Sequence, residues 1–331
     1  MDPMQWAYNQ KQQGVPIEEI RQELIKQGLN ITYEALKKRL QRMKKQIIYE
    51  DKKEYSDNDI EDYINKMIVL QEASEKLNTK QVKATIRIDD DKPIGIAYWG
   101  DWHIGCIGTD YKALEEDSNK IVQTDGLFYI GAGDYKDNYI SNSPIGGQFG
   151  QIIQPGMQDI VVMRYIEKTA DKCLALLKGC HDHWTQKQAD QDFVSTLCEK
   201  ANCVNLWHGG EITIKLGNQS YLFRCRHKYP YQSSLNLENA MRRIMEKQGP
   251  CDVAAEAHWH EPYVMDRHLM GEYRVMMRSG SYKKWDDYGQ QLAGYKGKRG
   301  VPVVILFPDK HKMLPVRDLD MAIEILQAFR R

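Results

Sequence analysis

The chain has 331 residues, 42% of them hydrophobic and 28% charged, and its 46 basic and 46 acidic side chains cancel to zero formal net charge. That length suits one large core plus a small accessory domain, and the balanced charge gives no global pull toward a polyanion. No apolar run reaches membrane-spanning length, the longest being pieces such as Met67-Ile68-Val69-Leu70, so no membrane partner is expected. The opening Met-Asp-Pro-Met-Gln-Trp lacks the basic-then-apolar pattern of a secretion signal. The seven cysteines form no Cys-x-x-Cys pair, and together these features predict a cytoplasmic protein with reduced thiols.

Residues 1–48 read as a small all-α module. Val15-Pro16-Ile17-Glu18-Glu19 starts a helix with proline at its first position and carboxylates in its first turn. Ile17, Ile20, Leu24 and Ile25 recur at helical spacing, and Gly28 falls where a C-terminal cap belongs. Thr32 can cap a second helix with Leu36, Leu40 and Met43 on one face. Helix, glycine-containing turn, helix is a helix-turn-helix arrangement. From Leu36 to Lys45 the second helix carries Lys37, Lys38, Arg39, Arg42, Lys44 and Lys45 and no acid, which makes these six the expected DNA contacts.

Residues 49–81 begin acidic, with Glu50, Asp51, Glu54, Asp57 and Asp59. They continue as an amphipathic helix bearing Ile60, Tyr63, Ile64 and Met67 on one face, which can dock on the core, pair with another subunit in a homo-oligomer, or act as a spacer. Residues 82–331 alternate strand and helix patterns. Strands are predicted at Val82–Ile88, Ile94–Trp99, Leu127–Gly131, Cys173–Leu177, Glu211–Leu216, Tyr221–Cys225, Val253–Ala257, Tyr273–Arg278 and Val303–Phe307. Helices are predicted around Met157–Thr169, Asp192–Lys200 and Leu237–Lys247. The expected class is α/β (α+β), with helices covering sheet faces.

The chemistry-bearing residues follow predicted strands, where α/β folds place ligand sites. Gly100-Asp101-Trp102-His103 follows one strand and Gly133-Asp134-Tyr135-Lys136-Asp137-Asn138 the next. Gly179-Cys180-His181-Asp182-His183, the lone His227, and Ala257-His258-Trp259-His260 come after three more. An aspartate and a histidine two apart on a turn can reach one cation, and a carboxylate with two oxygens can bridge two. Imidazole and carboxylate donors together suit Mn, Fe or Zn, whereas an all-oxygen set would suit Mg or Ca.

In this order the motifs resemble those of the calcineurin-like metallophosphoesterase superfamily, over residues 92 to 307. Asp101 and His103 match its first motif and Asp134 its bridging aspartate. Gly179, His181 and Asp182 match its Gly-Asn-His-Asp motif, His227 its lone histidine, and His258 and His260 its terminal Gly-His-x-His, with Ala257 in place of glycine. Ser279-Gly280-Ser281-Tyr282 is similar to a Gly-Ser that often follows. The resemblance implies a β-sandwich flanked by helices and two divalent metal ions, Mn first and Fe or Zn otherwise. One ion would take Asp101, His103, Asp134 and His260; the other would take Asp134, position 180, His227 and His258. It further implies hydrolysis by a hydroxide held between the two ions, with His181 stabilising the transition state or protonating the leaving oxygen and Asp182 positioning it. Position 180 departs from the pattern: the superfamily's asparagine is Cys180 here, which ligates through sulfur, leaves the second site weak, or marks a degenerate member that binds without hydrolysing.

The Asp101-Trp102-His103-Ile104-Gly105 run looks like the Asp-Leu-His-Leu-Gly form of the double-strand-break repair exonucleases. The pairing of a small helical module with such a domain looks like proteins of bacteriophages and integrated elements. The reading is therefore a DNA exonuclease or endonuclease with DNA as partner. Lys136, Asn138, Arg226, Lys228 and Tyr229 are the expected substrate contacts, on a rim where Lys283, Lys284 and Trp285 also fall. The alternatives are a small-molecule phosphatase or cyclic-nucleotide phosphodiesterase, and a non-catalytic DNA-binding regulatory protein with a degenerate metal site.

Overall fold

The computed structural model describes residues 2–43, 56–77, 82–141, 143, 147–233, 235–269, 271–286, 289 and 297–331. The chain divides into two compact units, Met1–Lys76 and Leu77–Arg331.

The first unit holds α1 (Pro3–Gln12), α2 (Ile17–Lys26) and α3 (Tyr33–Arg42) around Met4, Ala7, Tyr8, Ile20, Leu24, Leu36 and Leu40. The predicted stop and start signals are in place. Gly28 takes φ +87°, so the Leu29 N–H reaches back to the Leu24 carbonyl at 2.8 Å and closes α2. Thr32 Oγ1 accepts from the Ala35 N–H at 3.3 Å and opens α3. Helix α1, capped by Asp2, completes a core that two helices alone could not enclose. Lys38, Arg39 and Arg42 are exposed on α3 and Lys37 is half-buried; Lys44 and Lys45 lie outside the described residues. Helix α4 (Asp57–Lys76) buries none of its residues and exposes Ile60, Tyr63, Ile64 and Met67.

The second unit is a mixed α/β sandwich of two six-stranded sheets. One sheet contains β2 (Ile94–Trp99), β3 (Leu127–Gly131), β4 (Cys173–Leu176) and the short β5 (Val204–Asn205), all parallel. The antiparallel β11 (Val303–Leu306) and β12 (Met313–Val316) close its other edge. The second sheet runs β1 (Lys83–Ile88), β6 (Gly209–Leu216), β7 (Gln219–Arg226), β8 (Val253–Glu256), β10 (Glu272–Arg278) and β9 (Tyr263–Leu269). Alternation along each strand divides its side chains between two cores. Ile94, Ile96 and Tyr98 of β2 meet Ile212, Phe223 and Val253 between the sheets, while Ala97 and Trp99 face the helices. Those helices are α5 (Tyr111–Gln123), α6 (Pro155–Thr169), α8 (Phe193–Ala201) and the C-terminal α10 (Leu319–Arg330), and α9 (Asn239–Gln248) covers the far face of the second sheet.

The predicted strands recur within two residues. Three strands are additional: β5 has only two residues, β9 carries Asp266, Arg267 and His268 at an edge, and β12 contains Pro315, which an edge strand tolerates. The Cys180 segment, expected after a strand, is the first turn of α7 (Cys180–Ala189). Among the described residues no helix is long and apolar enough to cross a membrane.

Candidate metal centre

Strands β2, β3 and β4 run parallel in one sheet, and β7 runs parallel to β8 and β8 to β10 in the other. The segments that leave their carboxyl ends meet at one end of the sandwich and bring together Asp101 and His103, Asp134 and Asp137, Cys180 and His181, His227, and His258 and His260. Backbone bonds weld the first two segments together: Asp101 N–H donates to Gly133 O (2.8 Å), His103 N–H to Asp134 O (3.1 Å) and Ile104 N–H to Tyr135 O (3.0 Å).

Left-handed backbone is concentrated here. Asp101 (φ 50°), His103 (48°), Asp134 (52°), Asn138 (52°), His258 (74°) and His260 (55°) all adopt it without being glycine. Such conformations persist only where the surroundings over-determine them, and they gather at functional sites. At Gly179 a side chain is excluded for a different reason, because a Cβ there would lie 2.0 Å from Asp134 Oδ1.

Four donor groups converge among the described residues, two of them joined by a third and the fourth being His103, Asp137 and His181. Asp101, His103 and His260 converge, as do Cys180, His227 and His258. Asp101, Asp134 and His227 link the two, with the ligand atoms of each group within 4.8 Å of one another. His103 Nε2 stands 3.0 Å from His260 Nε2, and Asp101 Oδ1 stands 3.7 Å from the latter. Donors sharing one cation at about 2.1 Å stand roughly 3.0 Å apart at right angles and about 4.2 Å apart when opposite, and these separations, with 4.0 Å between His103 Nε2 and Asp101 Oδ1, lie within those limits. Two buried atoms aimed into the site, Asp101 Oδ1 and His227 Nε2, have no hydrogen-bond partner among the described residues. His227 Nε2 does lie 3.2 Å from Asp134 Oδ2, without the alignment of a hydrogen bond. These residues fit a pair of divalent cations.

The supporting contacts fix which ring nitrogen faces inward. His103 Nδ1 is 3.2 Å from Asp137 Oδ1, and His227 Nδ1 donates to Ala132 O at 2.8 Å, leaving Nε2 of each ring to the site. Asp101 Oδ2 accepts from the His258 N–H (3.0 Å) and the Ser279 hydroxyl (3.4 Å), which leaves Oδ1 for a cation. Buried Lys283 donates to Asp137 Oδ1 (3.0 Å) and pairs with Asp286 (2.5 Å).

Electrostatics favour donor states. Burial drives His103 and His260 well below the ordinary imidazole value and His258 down to about 2, so all three are neutral and carry lone pairs. Burial pushes Asp101 up. Asp134 stays well below the usual carboxylate range despite its burial, because His227 and His181 offset that effect. Asp134 in turn raises His227 against the desolvation that would lower it.

His181 is not positioned by the carboxylate of Asp182. Its Nδ1 donates to Asp137 O (2.6 Å), and its ring packs on Trp184 with centroids 4.1 Å apart. Asp182 instead accepts from the backbone N–H groups of Asp134 (2.7 Å), Gly179 (2.9 Å) and Tyr135 (3.2 Å), tying the β3 and β4 segments together. Lys136 and Asn138 do not stand on a rim. Lys136 is buried beside Asp159 (2.5 Å) and Phe193, and Asn138 spends its amide on His181 O (2.6 Å) and Thr185 (3.1 Å). Lys283 is likewise inside. Lys228 is exposed over the Trp259 ring, Tyr229 is half-buried, and half-buried Arg226 donates to Gln248 (3.2 Å). Asp137, Ser279 and Lys283 are supports that a search for metal ligands in the sequence passes over. For Asp137, the only sequence signal is the second carboxylate of Gly-Asp-x-x-Asp.

The chain matches no protein-family model and no curated protein. Among solved structures, Vps29 of Chaetomium thermophilum is similar at 11% identity, over 68% of this chain and 96% of that one, with a TM-score of 0.37. The calcineurin-like phosphoesterase YfkN of Bacillus subtilis is similar at 12% identity, over 73% and 100% of the two chains, with a TM-score of 0.35. The sulfate thiohydrolase SoxB of Thermus thermophilus is similar at 10% identity, over 72% of this chain and 59% of that one, with a TM-score of 0.38.

Proposed function

We propose that this protein is a metal-dependent phosphodiesterase that hydrolyses nucleic-acid phosphodiester bonds. The observation that carries the metal reading is the meeting of two donor groups across Asp134, with partnerless Asp101 Oδ1 and His227 Nε2 directed between them. When bound, two divalent cations supply Lewis acidity toward the phosphoryl oxygens and an activated water. Asp101, His103 and His260 would hold one and Cys180, His227 and His258 the other, with Asp134 available to both.

The chain's own groups do the rest. The His181 Nδ1–H bond to Asp137 O fixes that ring, and from Nε2 the imidazolium form would donate a proton to the leaving oxygen. The His181 N–H also donates to Asp134 Oδ1 at 2.8 Å, so the general acid and the Asp134 carboxylate are locked in one frame. Lys228, Tyr229 and Arg226 are the substrate contacts that remain, and exposed Lys38, Arg39 and Arg42 on α3 would hold duplex phosphates through a helix-turn-helix.

The test is hydrolysis by the full chain, with manganese, of a panel: linear duplex, single-stranded DNA, RNA, cyclic dinucleotides and a chromogenic phosphodiester. The reading requires nucleic-acid cleavage that Asp134→Ala abolishes. Hydrolysis confined to the small esters would assign a small-molecule phosphodiesterase. Two bound metals with no hydrolysis of any substrate would assign the non-catalytic role.

A further inference from the structure

We infer that Cys180 makes the two cation positions chemically unlike, so that the chain sorts its metals. The position formed by Cys180, His227 and His258 takes a thiophilic borderline ion, Zn2+ or Fe2+. The position formed by Asp101, His103 and His260 takes a harder ion such as Mn2+. This rests on the two-cation reading above and adds to it.

Sulfur enters only one of the two groups. The Cys180 thiol, one His227 nitrogen and one His258 nitrogen lie within 4.8 Å of one another, whereas the facing group offers one carboxylate and two imidazoles. All seven cysteines are free thiols, and Cys180 alone joins a convergent donor group among the described residues. A thiolate beside two imidazoles is a donor set of zinc and iron sites, and the facing group, with a carboxylate oxygen in place of the sulfur, is the harder of the two.

His227 makes the case independent of the cysteine. It is buried, being only 2% exposed, and its Nδ1 hydrogen is committed to Ala132 O. Its Nε2 then presents a lone pair toward Asp134 Oδ2, 3.2 Å away, so two acceptors face each other and a positive charge belongs between them. The thiol is held at the same point. Cys180 is the first residue of α7, whose start is fixed by Asp182 accepting from Gly179 N–H (2.9 Å) and Asp134 N–H (2.7 Å). Replacing a neutral amide at this position by a thiolate adds a negative charge as well as softness, so the cation held here should be the more tightly bound of the two.

The test is titration of the metal-stripped full chain with Co2+, followed by absorption. Wild type should bind two equivalents, one of which brings a near-ultraviolet sulfur-to-cobalt charge-transfer band. Zn2+ should erase that band before it displaces the second equivalent, and Mn2+ at equal concentration should leave it. Cys180→Asn and Cys180→Ser should lose the band, with unchanged circular dichroism. Their affinity at that position should fall by more than the roughly 10–100-fold that removing a supporting partner brings. Two bound Co2+ without a band in wild type, or a band that survives both substitutions, would overturn the inference while leaving the two-cation reading intact. Failure to bind any Co2+ would overturn both.

Discussion

His227 and Asp134 face each other at 3.2 Å as two acceptors, because the only ring hydrogen of neutral His227 is spent on the Ala132 carbonyl. The pair is stable only with a positive charge between them, and a metal ion or a proton can supply it. In metal-free protein the proton must serve, which is why Asp134 lifts His227 above the ordinary imidazole value.

With the proton in that place, the histidines and Asp101 of the site together contribute most to the stability of the metal-free protein near pH 6.5. On the acid side, His103, His258 and His260 are neutral when folded but charge when unfolded, so the unfolded chain binds more protons and stability falls as pH drops below that value. On the alkaline side His227 and Asp101 are raised when folded. Their contribution is present at lower pH and is lost as pH climbs through their folded values. Thermal melts across pH should show both slopes, and saturating Mn2+ or Zn2+ should remove the alkaline one. A metal-free melting temperature that keeps rising from pH 6.5 to 9 would contradict the pairing.

Asp137 holds His103 through Nδ1, and Asp137→Asn should weaken metal binding at the Asp101 position by roughly 10–100-fold. The same change leaves buried Lys283 with one carboxylate fewer, so a loss of stability should accompany it. Calorimetric titration with Mn2+ measures the first effect and urea unfolding the second. Unchanged affinity would remove Asp137 from the support of the centre.

His181 and Asp182 separate by phenotype. His181→Ala should lower kcat by about 10²–10⁴-fold while both metals still bind. Asp182→Ala leaves the backbone N–H groups of Asp134, Tyr135 and Gly179 without their acceptor, and should destabilise the fold by about 1–3 kcal/mol or more. An Asp182→Ala protein of wild-type stability with only kcat reduced would return Asp182 to a role on His181.

Combined Lys38→Ala, Arg39→Ala and Arg42→Ala should weaken duplex binding without regard to sequence. The salt dependence should flatten by about one unit of slope for each phosphate that is no longer neutralised. Hydrolysis of a small chromogenic ester should be unaffected, since these residues belong to the first unit. Duplex binding with an unchanged salt slope would take α3 out of the interface.

Much of this site is legible in the sequence. Donor type and order survive there because each motif is local: Asp-x-His, Gly-Asp-x-x-Asp and His-x-His each sit within a few residues of a strand end. Alternating apolar residues mark those strands, and Gly28 and Thr32 mark the helix ends in the first unit. Convergence is not local. Only the stacking of two sheets brings His227, His258 and His260 from one sheet to Asp101 and Asp134 from the other, and only parallel pairing puts all the carboxyl ends together. Burial also escapes the sequence. Lys136 and Lys283 read as rim cations, yet they lie inside because Asp159, Asp137 and Asp286 meet them there, and a lysine's composition carries no record of such a partner. The sequence determined which donors this protein owns. The tertiary structure decided which of them converge, and why Cys180 stands with His227 and His258, because donor spacing depends on packing between residues far apart in the chain.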